Sequence, residues 1–313
     1  MTVTYTYDDN DKMTAASGGG QTASFGYDGA GSMTSASGTM YGAWALVYDD
    51  ESRPTSITYP SGGGSVTDLF TYNALGQRMR ARLNGTWYRF FYNGNRVLEE
   101  TNDANGPLAR YTTESGSYYE PVLHFGRNDG SVRYPLYDGI GTVRRLADQT
   151  GALTDSYTLD TFGRQISVTG TTPNRYRFGG AWGYITDPSG MQQLGARFYW
   201  PEVGRFVQQD PAKEDENWYS YVDSNPVTGI DPTGLETCMK GWVTGCKLTR
   251  ATGSNKKRCP KSLPYKIYLD TCYGRKTKNP RTHGQKIGVA LEISGAMCYY
   301  ECTFKGTLFD VSQ

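Results

Sequence analysis

Cysteine is absent from residues 1–235, and the whole chain holds two histidines, His124 and His283. A segment without cysteine can build neither a disulfide framework nor a thiolate metal site. No apolar run approaches the ~20 residues that a membrane-spanning helix needs. The first twenty residues, from Met1-Thr2-Val3-Thr4 onward, are polar and lack the apolar centre of a signal peptide. Leucine- and alanine-rich helical blocks are missing too. Glycine (39) and tyrosine (25) are abundant instead, a balance that favours strands and tight turns.

Composition breaks sharply at Leu235. Before it stand 18 Lys+Arg against 26 Asp+Glu, a net of −8; after it, 14 against 5, a net of +9. All six cysteines, Cys238, Cys246, Cys259, Cys272, Cys298 and Cys302, fall in the last 78 residues. The overall charge of +1 is therefore a cancellation between unlike halves. Such an asymmetry predicts a domain boundary.

Residues 1–180 carry a repeat. A Tyr-Asp or Tyr-Asn dipeptide leads into a glycine-type turn at Tyr7-Asp8, Tyr27-Asp28, Tyr48-Asp49, Tyr72-Asn73, Tyr92-Asn93 and Tyr137-Asp138, with a decayed copy at Leu159-Asp160. The first five tyrosines are 20, 21, 24 and 20 residues apart. Each unit reads as strand, Asp/Asn-Gly turn, strand, the turn needing a residue of positive φ. The tyrosine before the turn is expected to stack its ring on the next unit and keep its hydroxyl near water. A hairpin cannot bury a face alone, so copies at fixed period predict one long antiparallel sheet.

Beyond the repeats come Tyr176-Arg177-Phe178-Gly179-Gly180, Gly195-Ala196-Arg197-Phe198-Tyr199, Gly204-Arg205-Phe206, Asp210-Pro211, Asn225-Pro226-Val227 and Asp231-Pro232-Thr233-Gly234-Leu235. With the Tyr-Asp units before them, these motifs resemble the Rhs/YD-repeat proteins with their Rhs-associated core, over about residues 1–235. The resemblance implies a mainly β fold: a YD-repeat sheet over 1–136 that forms part of a hollow shell, and a core plug over 137–235. A variable C-terminal toxin over 236–313 would be freed by self-cleavage after the Asp-Pro-x-Gly-Leu motif. Members act between bacteria or as C subunits of Tc complexes. A closed shell needs more repeats than the seven here. The chain is thus expected to be a piece of something longer, or to assemble with another shell or secretion subunit, and to leave an unpaired edge at residues 1–20.

Two close carboxylates can share a proton, one acting as base and the other as acid, and activate water against a peptide carbonyl. Asp210 and Asp231, each before a proline, are the candidates. The resemblance adds Arg197, to orient a carboxylate or the scissile segment, and places the cut at Leu235–Glu236. No metal or cofactor is implied. The rival for both Asp-Pro pairs is an ordinary turn, and Asp187-Pro188-Ser189-Gly190 serves as an internal comparison. Two departures from the family pattern are expected to loosen the plug: Trp200, where an acidic residue is usual, and Gln192-Gln193, where aromatic residues are. The competing class for the whole chain is a non-catalytic surface-repeat or adhesion scaffold. His124 reads as a packed strand residue, and the acidic cluster Glu214-Asp215-Glu216 as a solvated loop.

The tail is expected to be a small α+β or β domain. Val289–Ile293 and Cys298–Phe304 read as strands separated by Ser294-Gly295. Its six cysteines suit up to three disulfides with pairing left open, or a zinc site. Its positive charge favours anionic partners, either nucleic acid or an anionic envelope polymer or lipid. His283 is the candidate acid or base of a nuclease site, against a plain surface loop histidine; a disulfide-held binding or membrane-active peptide is the other reading. A secreted effector of this kind would leave the producing cell by a non-classical route and have a cognate immunity protein.

Overall fold

The computed structural model describes residues 2–114, 121–211, 213, 217–235, 238–252, 257, 259–262, 267–272, 286–293 and 296–306. From residue 238 on, the side chains described are those of 247–252, 257, 259–262, 298 and 299. Glu214–Glu216, Glu236 and His283 lie outside the described residues. The chain divides into two compact units. One comprises Met1–Ser224 and Asp231–Leu235; the other comprises Asn225–Ile230 and Glu236–Gln313.

The first unit is dominated by a sixteen-stranded sheet in unbroken sequence order, from β1 (Thr4–Tyr7) to β16 (Gln165–Thr169). Every described pairing is antiparallel, so the sheet is one continuous meander, with β1 the first strand of its path. The turn chemistry explains why aspartate or asparagine recurs. Asp8 Oδ1 accepts from the main-chain N–H groups of Asn10 and Lys12, both at 2.9 Å. Asn73 and Asp138 hold their own turns in the same way. At Asn93 the residue of positive φ is the glycine directly after it, Gly94 (57°), but in the other turns it is the fourth residue. It is Gly31 (φ 83°), Gly76 (77°) and Gly141 (78°), and Ser52 (59°) or Asp11 (60°) where glycine is missing. This is a type I turn followed by a left-handed bulge residue.

Four of the repeat tyrosines do not keep their hydroxyls near water, whereas Tyr7 is about half exposed. Tyr48 donates to the Met33 carbonyl at 2.6 Å, Tyr72 to Pro54 at 2.7 Å, Tyr92 to Arg78 at 3.0 Å and Tyr137 to Val122 at 2.8 Å. Met33, Pro54 and Arg78 are the residues paired across the turn with Tyr27, Tyr48 and Tyr72. Each tyrosine thus closes the backbone of the unit before it. Burial drives the phenols up from their ordinary range, so they stay neutral donors.

One face of the sheet is buried. Met33, Leu46, Ile57, Phe70, Phe90, Val97 and Phe125 form a single cluster with Tyr176, Ile185, Met191, Phe198, Trp200 and Val207 of the core segment. That segment carries a short four-stranded sheet, β17 (Ile185–Thr186), β18 (Gln192–Leu194), β19 (Arg197–Trp200) and β20 (Arg205–Phe206). Trp200 packs on Trp44, Tyr41 and Phe25 with ring centroids 4.7, 5.4 and 6.2 Å away. It anchors the core segment rather than loosening it. Gln192 and Gln193 are buried as well. Their amide nitrogens reach the Gly163 and Gly195 carbonyls, while both Oε1 atoms have no hydrogen-bond partner among the described residues. Asp187, in the turn used as a comparison, is no ordinary turn residue: Arg78 of β8 (Arg78–Leu83) binds it in a fully buried pair. His124 lies in β12 (Val122–Arg127) with its ring 5.6 Å from that of Tyr134.

The second unit is a five-stranded antiparallel sheet. Its strands are β21 (Gly229–Ile230), β22 (Cys238–Thr252), β23 (Ile267–Cys272), β24 (Lys286–Ile293) and β25 (Ala296–Gly306). The last two form the hairpin expected around 294–295, with Ile293 opposite Ala296. Cys259 and Cys298 form a disulfide, Cα–Cα 5.6 Å. Cys238 stands opposite Cys272 in the strand register. The side chains of Cys238, Cys246, Cys272 and Cys302 lie outside the described part. No helix among the described residues is long and apolar enough to cross a membrane.

Candidate functional site

The hairpin between β18 and β19 positions the site. Gly195 (φ 53°) turns the chain, and the Ala196 N–H donates to the Thr233 carbonyl at 2.9 Å, laying the 231–235 segment against that turn. Gly234 (φ 69°) faces the same backbone. A Cβ on Gly195 would run into the Thr233 carbonyl, and one on Gly234 into the Leu194 carbonyl. The two glycines therefore set a main-chain approach that side chains forbid.

Arg197 leaves β19 into this junction. Its Nη2 lies 3.2 Å from Asp231 Oδ2 and 3.6 Å from Asp210 Oδ2. Its Nε donates to the Gly234 carbonyl, and Nη1 to the Trp218 carbonyl at 3.1 Å. The guanidinium carbon sits 3.6 Å from the Phe206 ring centroid, so β20 supplies an aromatic floor. Side-chain exposure is 5% for Arg197 and 3% for each aspartate. The structure thus brings all three sequence candidates together.

Asp231 Oδ1 accepts the Leu235 N–H at 3.1 Å, and Thr233 Oγ1 lies 3.2 Å from that same nitrogen. The residue before the expected cut is in this way tied to the carboxylate itself. The Asp231 N–H donates to the Tyr184 hydroxyl at 2.6 Å, and Tyr184 meets the Tyr221 hydroxyl at 3.3 Å. Burial raises both phenols, aided for Tyr184 by Tyr221 and Asp231, so both remain neutral. The Asp210 N–H donates to the Trp218 carbonyl at 2.9 Å. A cleft of about 690 Å³ is lined in part by Arg197, Asp210, Pro232 and Thr233.

Sequence reasoning missed Tyr184, Phe206, Thr233 and the Trp218 carbonyl. Gly204-Arg205-Phe206 was visible as a motif, but no local pattern ties Phe206 to a guanidinium nine residues away. Leu235 lies at the site, half-buried.

A family model described as Teneurin YD-shell matches residues 1–77. The tRNA3(Ser)-specific nuclease WapA of Bacillus spizizenii is 30% identical over 223 residues, covering 67% of this chain and 9% of the relative. The chain belongs to the Rhs/YD-repeat family. Another relative is the double-stranded DNA deaminase toxin A of Burkholderia cenocepacia, 26% identical over 220 residues, which cover 61% of the chain and 15% of the relative. The crystal structure of TcdB2-TccC3-TEV is similar with a TM-score of 0.49 at 17% identity, over 74% of this chain and 15% of that one. This Rhs/YD-repeat chain accordingly spans a small fraction of these relatives' length.

Proposed function

We propose that the chain is the self-processing portion of an Rhs-type polymorphic toxin, with repeats at 1–136, a proteolytic core at 137–235 and cargo at 236–313. One observation carries this reading: a single Arg197 nitrogen lies within ion-pair distance of both Asp210 and Asp231, all three nearly excluded from solvent. With both carboxylates ionised, these three side chains hold one excess negative charge. A proton shared between the aspartates removes it. One aspartate then takes a proton from water as its oxygen bonds to the Leu235 carbonyl carbon. The other gives its proton to the Glu236 nitrogen as the peptide bond breaks. The Asp231–Leu235 hydrogen bond holds the substrate beside its own catalyst, which replaces a binding step.

The freed tail would act outside the producing cell, reached by a non-classical route and neutralised at home by an immunity protein. Its net charge of +9, together with relatives named as a nuclease and a DNA deaminase, favours nucleic acid as its target, with His283 the candidate acid or base.

Purified protein run on a denaturing gel should give two fragments whose masses meet at Leu235–Glu236. Asp231→Asn and Asp210→Asn should each give one full-length band. A folded wild-type chain that stays whole would make the protein a scaffold. For the tail, expression of residues 236–313 with and without periplasmic export separates a cytoplasmic target from an envelope one, and His283→Ala tests the nuclease assignment.

A further inference from the structure

Each half of the candidate dyad is wired to a different Tyr-Asp turn of the sheet. On the Asp231 side, the Asp138 turn ends at Thr142, whose N–H is held by Asp138 Oδ1 at 2.9 Å. Thr142 Oγ1 accepts from the Gly179 N–H at 3.1 Å, and the Val143 N–H donates to the Arg177 carbonyl at 2.8 Å. Gly179, at φ 55°, lies flat on the Tyr184 ring, where a Cβ would collide. The Tyr184 hydroxyl then takes the Asp231 N–H. On the Asp210 side, the Asp28 turn presents its Gly31 carbonyl to the Tyr219 hydroxyl at 2.6 Å. The neighbouring carbonyl, that of Trp218, receives both the Asp210 N–H and Arg197 Nη1. Met33, just past the same turn, donates its N–H to the Val207 carbonyl at 2.7 Å.

These two turns lie 110 residues apart in the chain, between Asp28 and Asp138. The Phe178-Gly179 motif, which has no part in the proposed chemistry, gains a reason: only glycine lets the segment join the turn to the tyrosine. We infer that the two turns act as an assembly checkpoint. Asp231 on one side, and Asp210 with Arg197 on the other, reach working geometry once the core segment has docked on both turns. Tyr184 and Tyr219 are the positioning residues that transmit this docking. The inference rests on the self-cleavage reading and adds its regulation: cutting is withheld until the sheet and its core have closed on each other. Misplacing a reacting group by about 1 Å costs on the order of a hundredfold in rate, so the loss of one hydroxyl suffices to register.

The test follows cleavage of the full-length chain during cell-free synthesis. Tyr184→Phe and Tyr219→Phe keep the rings and remove one hydroxyl each; each should slow cleavage by about tenfold or more. Neither should change the shape of the pH–rate profile, because the carboxylates are untouched. Tyr72→Phe loses a part-buried hydroxyl-to-carbonyl bond within the sheet and should cut at the wild-type rate. Wild-type rates in either Tyr184→Phe or Tyr219→Phe would overturn the checkpoint, as would equal slowing by Tyr72→Phe. A wild-type chain that never cuts removes the cleavage reading instead. Amide hydrogen exchange then decides the wiring separately: Tyr184→Phe should speed exchange at Asp231 and Leu235 while Tyr72→Phe does not, and unchanged exchange in Tyr184→Phe would refute it.

Discussion

Arg78 and Asp187, 109 residues apart, form a two-pronged ion pair with no side-chain exposure on either partner: Nη1–Oδ1 2.7 Å and Nη2–Oδ2 2.9 Å. The guanidinium also lies against Phe70 and Phe198, with its carbon 4.7 and 5.4 Å from their ring centroids. One partner belongs to the repeat sheet and the other to the core segment. A second pair, Arg175–Glu100 at 3.1 Å, repeats the arrangement with Tyr111 donating to Glu100 at 2.7 Å. Apolar packing between sheet and core is non-directional; these pairs fix where on the sheet the core segment sits.

Removing one partner of a buried pair strands the other charge in the interior. Arg78→Met or Asp187→Leu should therefore destabilise the first unit by about 3–5 kcal/mol. The double variant Arg78→Met/Asp187→Leu should recover part of that loss. Chemical denaturation of wild type, both singles and the double, read as a double-mutant cycle, checks both expectations. Singles as stable as wild type would show that the pair contributes position alone.

The sheet carries its own pH dependence at Asp68. This carboxyl is buried in β7 (Gly64–Tyr72), and its pKa is pushed up to about 6, chiefly by burial, against the lowering effect of the Asn84 N–H. Its Oδ1 accepts that N–H at 2.7 Å, while Oδ2 has no hydrogen-bond partner among the described residues. A raised carboxyl favours the folded state below its unfolded value near 3.8 and loses that contribution as pH rises through about 6. Unfolding midpoints should show Asp68→Asn gaining on wild type by about 2 kcal/mol between pH 4 and pH 7.5. A constant difference across that range would contradict the assignment.

The tyrosine ladder makes a smaller claim. Tyr72→Phe leaves the Pro54 carbonyl buried without its donor and should cost about 1 kcal/mol, seen as a lower denaturation midpoint with an unchanged slope. Tyr7, about half exposed, has no such hydrogen bond among the described residues, and Tyr7→Phe should change the midpoint by less than about 0.5 kcal/mol.

Much of this was legible in the sequence because it is local. Tyr-Asp spacing near twenty residues and a glycine four places on dictate hairpins, and hairpins of one period dictate a meander. The aspartates before proline stood out as chemistry, Arg197 came with the family resemblance, and the three came together. What could not be read was long-range pairing. Asp187-Pro188-Ser189-Gly190 looks like any turn until Arg78 arrives from 109 residues away. Trp200 and Gln192 look like departures that loosen a plug, but a tryptophan with three aromatic neighbours packs as well as any core residue. The tyrosine hydroxyl was misjudged for the same reason, since its acceptor carbonyl lies in the preceding unit. Tyr184 carries no motif at all; its role exists only once Asp231 lies over it.

The junction of Gly195 with Gly234 gives the last prediction. Both residues have positive φ, and each lies where a Cβ would strike the other segment's carbonyl. Alanine at Gly195 must move the Thr233 carbonyl, which breaks the Ala196–Thr233 hydrogen bond and swings Asp231 away from Arg197. Alanine at Gly234 must move the Leu194 carbonyl and disturb the Arg197 Nε bond to the Gly234 carbonyl. Neither change touches a carboxylate or the sheet, so the sixteen-stranded fold should persist by circular dichroism. Cleavage at Leu235–Glu236 should nevertheless fall by about a hundredfold in both, because the two halves of the site lose register by roughly an ångström. Ala196→Ser, beside the same turn but with an ordinary side chain, should cut normally. Full cleavage in Gly195→Ala and Gly234→Ala would mean that this close backbone approach is packing and nothing more.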